Sequence, residues 1–168
     1  MHHDFRVCEA FGDAQPTAEV CERGLSPLLE HVRQGGCSTL FMYGQTGSGK
    51  TYTMRGIEEH AATLLPASPD PHAADAAGLL SVVEIAGGRT SDLRSADGRA
   101  EVRLQQDAQG QCQLQGATLV PLHCAADFLA ALAQAKARRA TQATGANAES
   151  SRSHAVCRLT VAPPRAAA

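Results

Sequence analysis

Tryptophan is absent from this 168-residue sequence, and its aromatic residues are only four Phe and two Tyr. Large apolar side chains are scarce as well: Leu, Ile, Val and Phe together number 31, no more than the 31 alanines. A core built around bulky rings is thereby excluded, and a thin one is expected for this length. Charge imbalance is missing too. A net charge of −2 gives no self-repulsion to hold the chain open, which argues against disorder. Lysine appears twice, at 50 and 136, and no basic run is longer than Arg138-Arg139. A nucleic-acid binder shows a basic patch or stripe, so that class is set aside. No apolar stretch approaches the ~20 residues of a membrane span, and the first ten residues carry no signal-peptide pattern. Six cysteines occur without one CxxC pair, which excludes the usual zinc and redox spacings and suggests reduced thiols of a cytosolic protein. No carboxylate follows Glu149.

What is present reads as alternating helices and strands. Residues 17–34 form a helical stripe through Val20, Leu25, Leu28, Leu29 and Val32, with Thr17 as cap, Pro27 as a kink and Gly35-Gly36 as the stop. Ser38–Tyr43 (STLFMY) predicts a buried strand, followed by a Gly-rich turn and a helix from about Gly49. Residues 58–77, with three prolines, predict surface loop. Leu79–Ile85 predicts a second buried strand. Glu101–Leu104 and Gln111–Gln115 flank a turn at 107–110 and predict a hairpin. Ala125–Ala140 predicts a helix with Phe128, Leu129 and Leu132 inward, and His154–Val161 a last strand. This mixture argues α/β.

The strongest local signal is GQTGSGKT, residues Gly44, Gln45, Thr46, Gly47, Ser48, Gly49, Lys50 and Thr51, a match to the phosphate-binding GxxxxGK[ST] loop. Glycines admit positive φ, so successive amides turn inward and make an anion nest, to which the following helix adds the positive end of its dipole. A lysine at position 50 reaches the β- and γ-phosphates, and the Thr51 hydroxyl suits Mg²⁺. The only asparagine, Asn147, is followed by Ala148, so the Asn-Lys-x-Asp loop with which GTPases usually read guanine is not present.

Asn147 opens a second motif, NAESSRSH, ending at His154. Together with FMYGQTGSGKTYTM (Phe41–Met54), it resembles the kinesin motor domain, whose switch I pattern is NxxSSRSH. Arg139 and Thr144 fall at the family's spacing before Asn147. Ser81, Glu84, Ile85, Asp92 and Leu93 resemble its S-x-x-E-I strand and following Asp-Leu pair, and Phe5, Phe11, Pro27 and Leu28 fit the stretch before the loop. The resemblance implies an α/β, P-loop NTPase fold, a central mixed sheet flanked by helices, kinesin-like and incomplete. It would span residues 1–162, with a Pro/Ala-rich tail at 163–168. It also implies ATP and Mg²⁺ as cofactors, with Gly44–Thr51 on the phosphates, Tyr52 stacked on adenine, and Thr51 and Ser151 at the metal. Ser150 and Ser151 would meet the γ-phosphate and attacking water, and Arg152 would latch onto a switch II glutamate; these three are the catalytic candidates. Microtubules or tubulin are the implied partner of the complete domain, and the microtubule cytoskeleton in the cytoplasm its location; nucleic acid and membrane are not expected, and oligomeric state stays open. The run TGANAESSRSHAV, with Ala146 before Asn147, is similar to the internal-motor, microtubule-depolymerising branch.

Against that pattern stand three absences: the family's first strand with its adenine-contacting Arg-Pro segment, its downstream microtubule-contacting helices and loops, and its switch II. The family's D-x-x-G-x-E element follows switch I, and residues 150–168 contain no acid that could form it. EIAG at Glu84–Gly87 imitates it, but precedes the motif and lacks the trailing glutamate. The chain therefore reads as the middle of a motor domain, expected to bind Mg-ATP weakly and to be inactive alone. The alternatives are a non-catalytic, degenerate motor serving as a binding or regulatory module, or a truncated gene-model product.

Overall fold

The computed structural model describes residues 6–67, 75–108, 110, 112–144 and 153–161. They fall into two compact units, residues 1–61 and 62–168.

The first unit is helical. Helix α1 (Thr17–Val20) runs through a wider, π-helical stretch, Cys21–Leu25, into α2 (Ser26–Arg33). Pro27 explains the widening: it has no N–H to give, and its ring crowds the carbonyl four residues back, so the chain opens one turn ahead of it. Thr17 is the first helical residue rather than the expected cap. Pro16 takes the capping position with extended backbone (φ −68°, ψ 148°), and its carbonyl accepts from the amides of Glu19 and Val20. At the other end Gly35, with φ 87°, lets its own amide reach the Val32 carbonyl while Gly36 reaches that of His31, a Schellman closure. Helix α3 (Lys50–Ala61) meets the Cys21–Leu25 stretch, with Ile57, Cys21, Leu25 and Leu29 all buried and Ser26 Oγ 2.9 Å from His60 Nε2. Burial pushes the Cys21 thiol pKa up, and the nearby Glu59 carboxylate adds to the shift.

The expected strand at Ser38–Tyr43 does not form. No ladder among the described residues takes it, and Phe41 and Tyr43 are 73% and 89% exposed. An apolar run specifies a wish for burial, but a strand exists only where a neighbour accepts its backbone bonds.

The second unit is organised by β1 (Gly78–Ala86). Beyond one edge lies β7 (Ser153–Val161), paired along its whole length; β2 (Arg89–Asp92) and β6 (Val120–Leu122) pair with opposite ends of β1, and β3 (Ala100–Glu101) extends β2. The mixed sheet expected from the sequence is represented, among the described residues, by antiparallel ladders. Gly87 and Gly88, both with positive φ, make the two-residue turn between β1 and β2, so EIAG is a strand end and hairpin rather than a switch. Leu80, Ser81, Val82 and Val83 are buried in β1. The expected hairpin is β4 (Arg103–Gln106) with β5 (Cys112–Gln115), shifted from its predicted start because Val102 turns inward and gives its amide to Thr90.

Helix α4 (Ala125–Thr144) buries Phe128, Ala131, Leu132 and Ala135. Leu129, expected inward, is 37% exposed. Spacings of three, four and seven residues from Phe128 define the inner stripe, and Leu129 lies about a hundred degrees round from its start. Alanines take the remaining inward seats, which gives part of the alanine richness a packing role. Asp127 reaches back to accept from the amides of His123 (2.8 Å) and Cys124 (3.3 Å), satisfying donors that the helix start leaves without partners. No helix among the described residues is long and apolar enough to cross a membrane.

Candidate functional site

The glycine-rich loop and the head of α3 form the candidate nucleotide site. Gly47 and Gly49 hold φ of 86° and 82°, which a residue with a Cβ rarely adopts. Gly44 is needed for space as well: a Cβ there would lie 2.6 Å from Ser48 Oγ. The Ser48 amide closes the turn onto Gln45 O at 3.2 Å, and the Thr53 amide bonds Gly49 O at 3.0 Å, opening the helix. Helix α3 therefore begins at Lys50, directly behind the loop.

Lys50 bends back over this loop. Its Nζ donates to Gly44 O at 2.7 Å and to Gln45 O at 2.6 Å, using two of the three ammonium protons. Those bonds hold a positive charge above the backbone where a phosphate chain would need it. Thr51 and Tyr52 occupy the first turn and both are exposed, as are Gln45, Thr46, Gly47, Ser48 and Gly49. Nest, helix terminus and cation coincide, so the residues present fit a Mg-nucleotide.

Ser150, Ser151 and Arg152 lie outside the described residues. What flanks them is defined. Ser153 opens β7 opposite Ala86, and His154 pairs with Ile85 and is exposed. Ser153 Oγ donates to Glu84 Oε1 at 2.6 Å. Arg139 donates from Nε to the same oxygen at 2.9 Å, and from Nη2 to Ser153 O and Oγ, both at 2.9 Å. Arg139 and Glu84 are legible as family positions, but no local pattern signals that they meet on Ser153, since 55 and 69 residues separate the partners. Among the described residues no group of three or more His, Cys, Asp or Glu side chains could hold a metal ion.

Phe5 lies outside the described residues, while Asp92 and Phe11 make structural contacts. Asp92 is fully buried and accepts from the amides of Arg94 (2.7 Å) and Thr118 (2.8 Å), fastening the turn after β2 to the segment before β6. Arg138 Nη1 donates to Leu93 O and Ser95 O, and Arg94 Nη1 to Ala131 O and Gln134 Oε1, so the same turn is tied to α4. Desolvation, with Arg138 nearby, lowers the Arg94 pKa. Phe11 lies under the Arg23 guanidinium, 5.4 Å from its centre, a cation–π contact.

Comparison with known proteins addresses the whole chain. The kinesin motor domain model matches residues 1–167. Diatom spindle kinesin-1 of Cylindrotheca fusiformis is 35% identical over 159 residues, covering 94% of this chain and 25% of that protein. Kinesin-like protein KIF24 of Homo sapiens is 32% identical over 169 residues, covering 96% of this chain and 12% of its own length. Among solved structures, one described as kinesin 6 superposes with a TM-score of 0.78 at 23% identity, over 92% of this chain and 57% of the other. That likeness is one of fold, the α/β, P-loop NTPase fold of such motors. The chain spans about a quarter or less of these two relatives' lengths. Over nearly all its residues, the chain belongs to the kinesin motor domain family.

Proposed function

We propose that this chain binds Mg-ATP at Gly44–Thr51 and contributes the nucleotide-binding part of a microtubule motor. The observation that carries the reading is the coincidence, in eight consecutive residues, of positive-φ Gly47 and Gly49, the folded-back Lys50 and the start of α3. Backbone amides of residues 44–49 would cradle the phosphates, with Lys50 giving up its loop carbonyls for phosphate oxygens. Thr51 and Ser151 would ligate Mg²⁺, whose chemistry is to neutralise charge on the phosphate oxygens. Tyr52 would stack on adenine. Ser150, Ser151 and Arg152 are the proposed catalytic residues of the longer motor, with residues 1–162 as one partial domain and 163–168 as its tail. Microtubule-based movement or depolymerisation is proposed for that longer protein, in the microtubule cytoskeleton of the cytoplasm. The TGANAESSRSHAV run supports the internal-motor branch.

Titration of the 168-residue chain with Mg-ATP tests the site. Weak binding is expected, abolished in Lys50→Ala, with no microtubule-stimulated phosphate release. Unchanged affinity in Lys50→Ala would show that the loop is not the binding site.

A further inference from the structure

We propose that the free edge of β4 takes an extended peptide segment as an added strand, with an acidic side chain of that segment seated between Arg89 and Arg103. The site lies wholly within the second unit, where β2 and the stretch 100–106 part. Asp92 pairs with Ala100 and Ser91 with Glu101, and the Val102 amide donates to Thr90 O at 2.9 Å. One step further the same register sets Arg89 opposite Arg103, and there, among the described residues, the ladder ends. Like charges directly opposite each other weaken a ladder. From that point β4 pairs with β5 on its other side, from Arg103 opposite Gln115 to Gln106 opposite Cys112.

The parting leaves an open cleft of about 390 Å³, with Gly88, Arg89 and Thr90 on one side and residues 101–105 on the other. Along a strand, the N–H and C=O groups of alternate residues point to the same side. Val102 points its amide toward β2, so Leu104 and Gln106 present theirs on that side too, where no strand among the described residues accepts them. Such an edge is a template for another chain. The four residues of β4 offer about 13 Å of it.

Charge chooses the occupant. The Arg103 side chain is exposed and makes no hydrogen bond or ion pair with a described residue. Arg89, also exposed, has the Arg99 carbonyl at 3.4 Å, longer than an ordinary hydrogen bond. A carboxylate between the two guanidiniums would receive charge-assisted bonds from both. Glu101 lies two residues from Arg103 on the same face of the strand, so it repels a further acid and disfavours a polyanion. On the opposite face Leu104 is 56% exposed and favours an apolar neighbour. A segment running antiparallel to β4, in the line of β2, therefore fits when it reads apolar, polar, apolar, acidic, with the acid against Arg103.

Fluorescence anisotropy of a labelled, end-capped peptide, Thr-Val-Thr-Val-Glu, titrated with the 168-residue chain tests this, beside melting curves and amide hydrogen exchange. The wild type should bind, more weakly as salt rises, and the Leu104 and Gln106 amides should exchange more slowly when it does. Arg89→Ala and Arg103→Ala should each weaken binding at least about fivefold without moving the melt. Gln in place of Glu in the peptide should cost the wild type as much, with little further loss in the variants. N-methylation of both valines keeps the charge but removes the strand's donors, so it should abolish binding. No binding by the wild type overturns the inference, as does unchanged affinity in both arginine variants or for the Gln peptide. Equal binding of the N-methylated peptide overturns it too, reducing the site to an anion contact without strand addition. Leu104 and Gln106 amides already protected in a dimer of the chain alone would assign the edge to a second copy and equally overturn it.

Discussion

Gly56 and Thr17 meet so closely that a Cβ at position 56 would stand 2.4 Å from Thr17 Cγ2. A helix-interior glycine costs about 1 kcal/mol against alanine, so this one is kept for space: it lets α3 approach α1. Gly56→Ala should lower stability by about 1–2 kcal/mol, the helix-propensity gain being outweighed by overpacking. In a Thr17→Ser background, where that methyl is gone, the same substitution should stabilise by about 0.5–1 kcal/mol. Urea unfolding of the two singles and the double measures both effects. A destabilising Gly56→Ala in each background would show that the methyl is not the obstacle.

The loop glycines are tested through Gly49. Its φ of 82° is compatible with alanine only at a cost of about 1–2 kcal/mol. Gly49→Ala should therefore lower the melting temperature slightly. It should weaken Mg-ATP by about tenfold or more, because relaxing the strain turns an amide away from the nest; tenfold corresponds to about 1.4 kcal/mol. Intact affinity would mean that this amide does not serve the phosphates.

The inner face of α4 gives a contrast between adjacent residues. Phe128→Ala, at a buried site, should cost about 3–5 kcal/mol, while Leu129→Ala should cost less than about 1 kcal/mol. Denaturant midpoints measured on both proteins decide it. Equal losses would place Leu129 on the inner stripe after all.

Acid stability should register Asp127. Its carboxylate is held below the ordinary 3.8 by the His123 amide first, then by that of Cys124. A depressed folded pKa means that the stabilisation is present above the unfolded value and disappears as pH falls through the folded one. Asp127→Asn should therefore flatten the fall of stability below about pH 4, and leave the two proteins nearer to each other in acid than at neutrality. The side chain is only half-buried, so the effect is small and salt-sensitive. Parallel stability curves from pH 2 to pH 7 would contradict it.

Much of the architecture was readable from local chemistry. The strand at 79–85, the hairpin, the last strand and helix α4 all appear where alternation, turn residues and helical stripes put them. The Gly35-Gly36 stop appears as an αL closure because only glycine accommodates it cheaply. Reading failed where the deciding partner is remote. Hydrophobicity alone points Leu129 inward, whereas the stripe, set by what α4 packs upon, runs through Ala131 and Ala135. Ser38–Tyr43 has a strand's composition without a described neighbour. The short strands β2, β3 and β6 carry no periodic signal of their own and exist because β1 and one another supply their bonds.

The sequence by itself determined the family and the chemistry of the phosphate loop. GQTGSGKT and NAESSRSH are contiguous, and their meaning lies in residue types at fixed short spacing, glycine for positive φ, lysine for charge, hydroxyls for metal and water. It also determined the thinness of the core, since 31 alanines cannot be exchanged for larger side chains by folding. Tertiary structure alone decided which groups at long separation share a proton or a charge. Glu84, Arg139 and Ser153 converge because β1, α4 and β7 pack together. Composition and periodicity report what each segment prefers, while hydrogen bonds across 55 or 69 residues depend on which segments the sheet brings side by side.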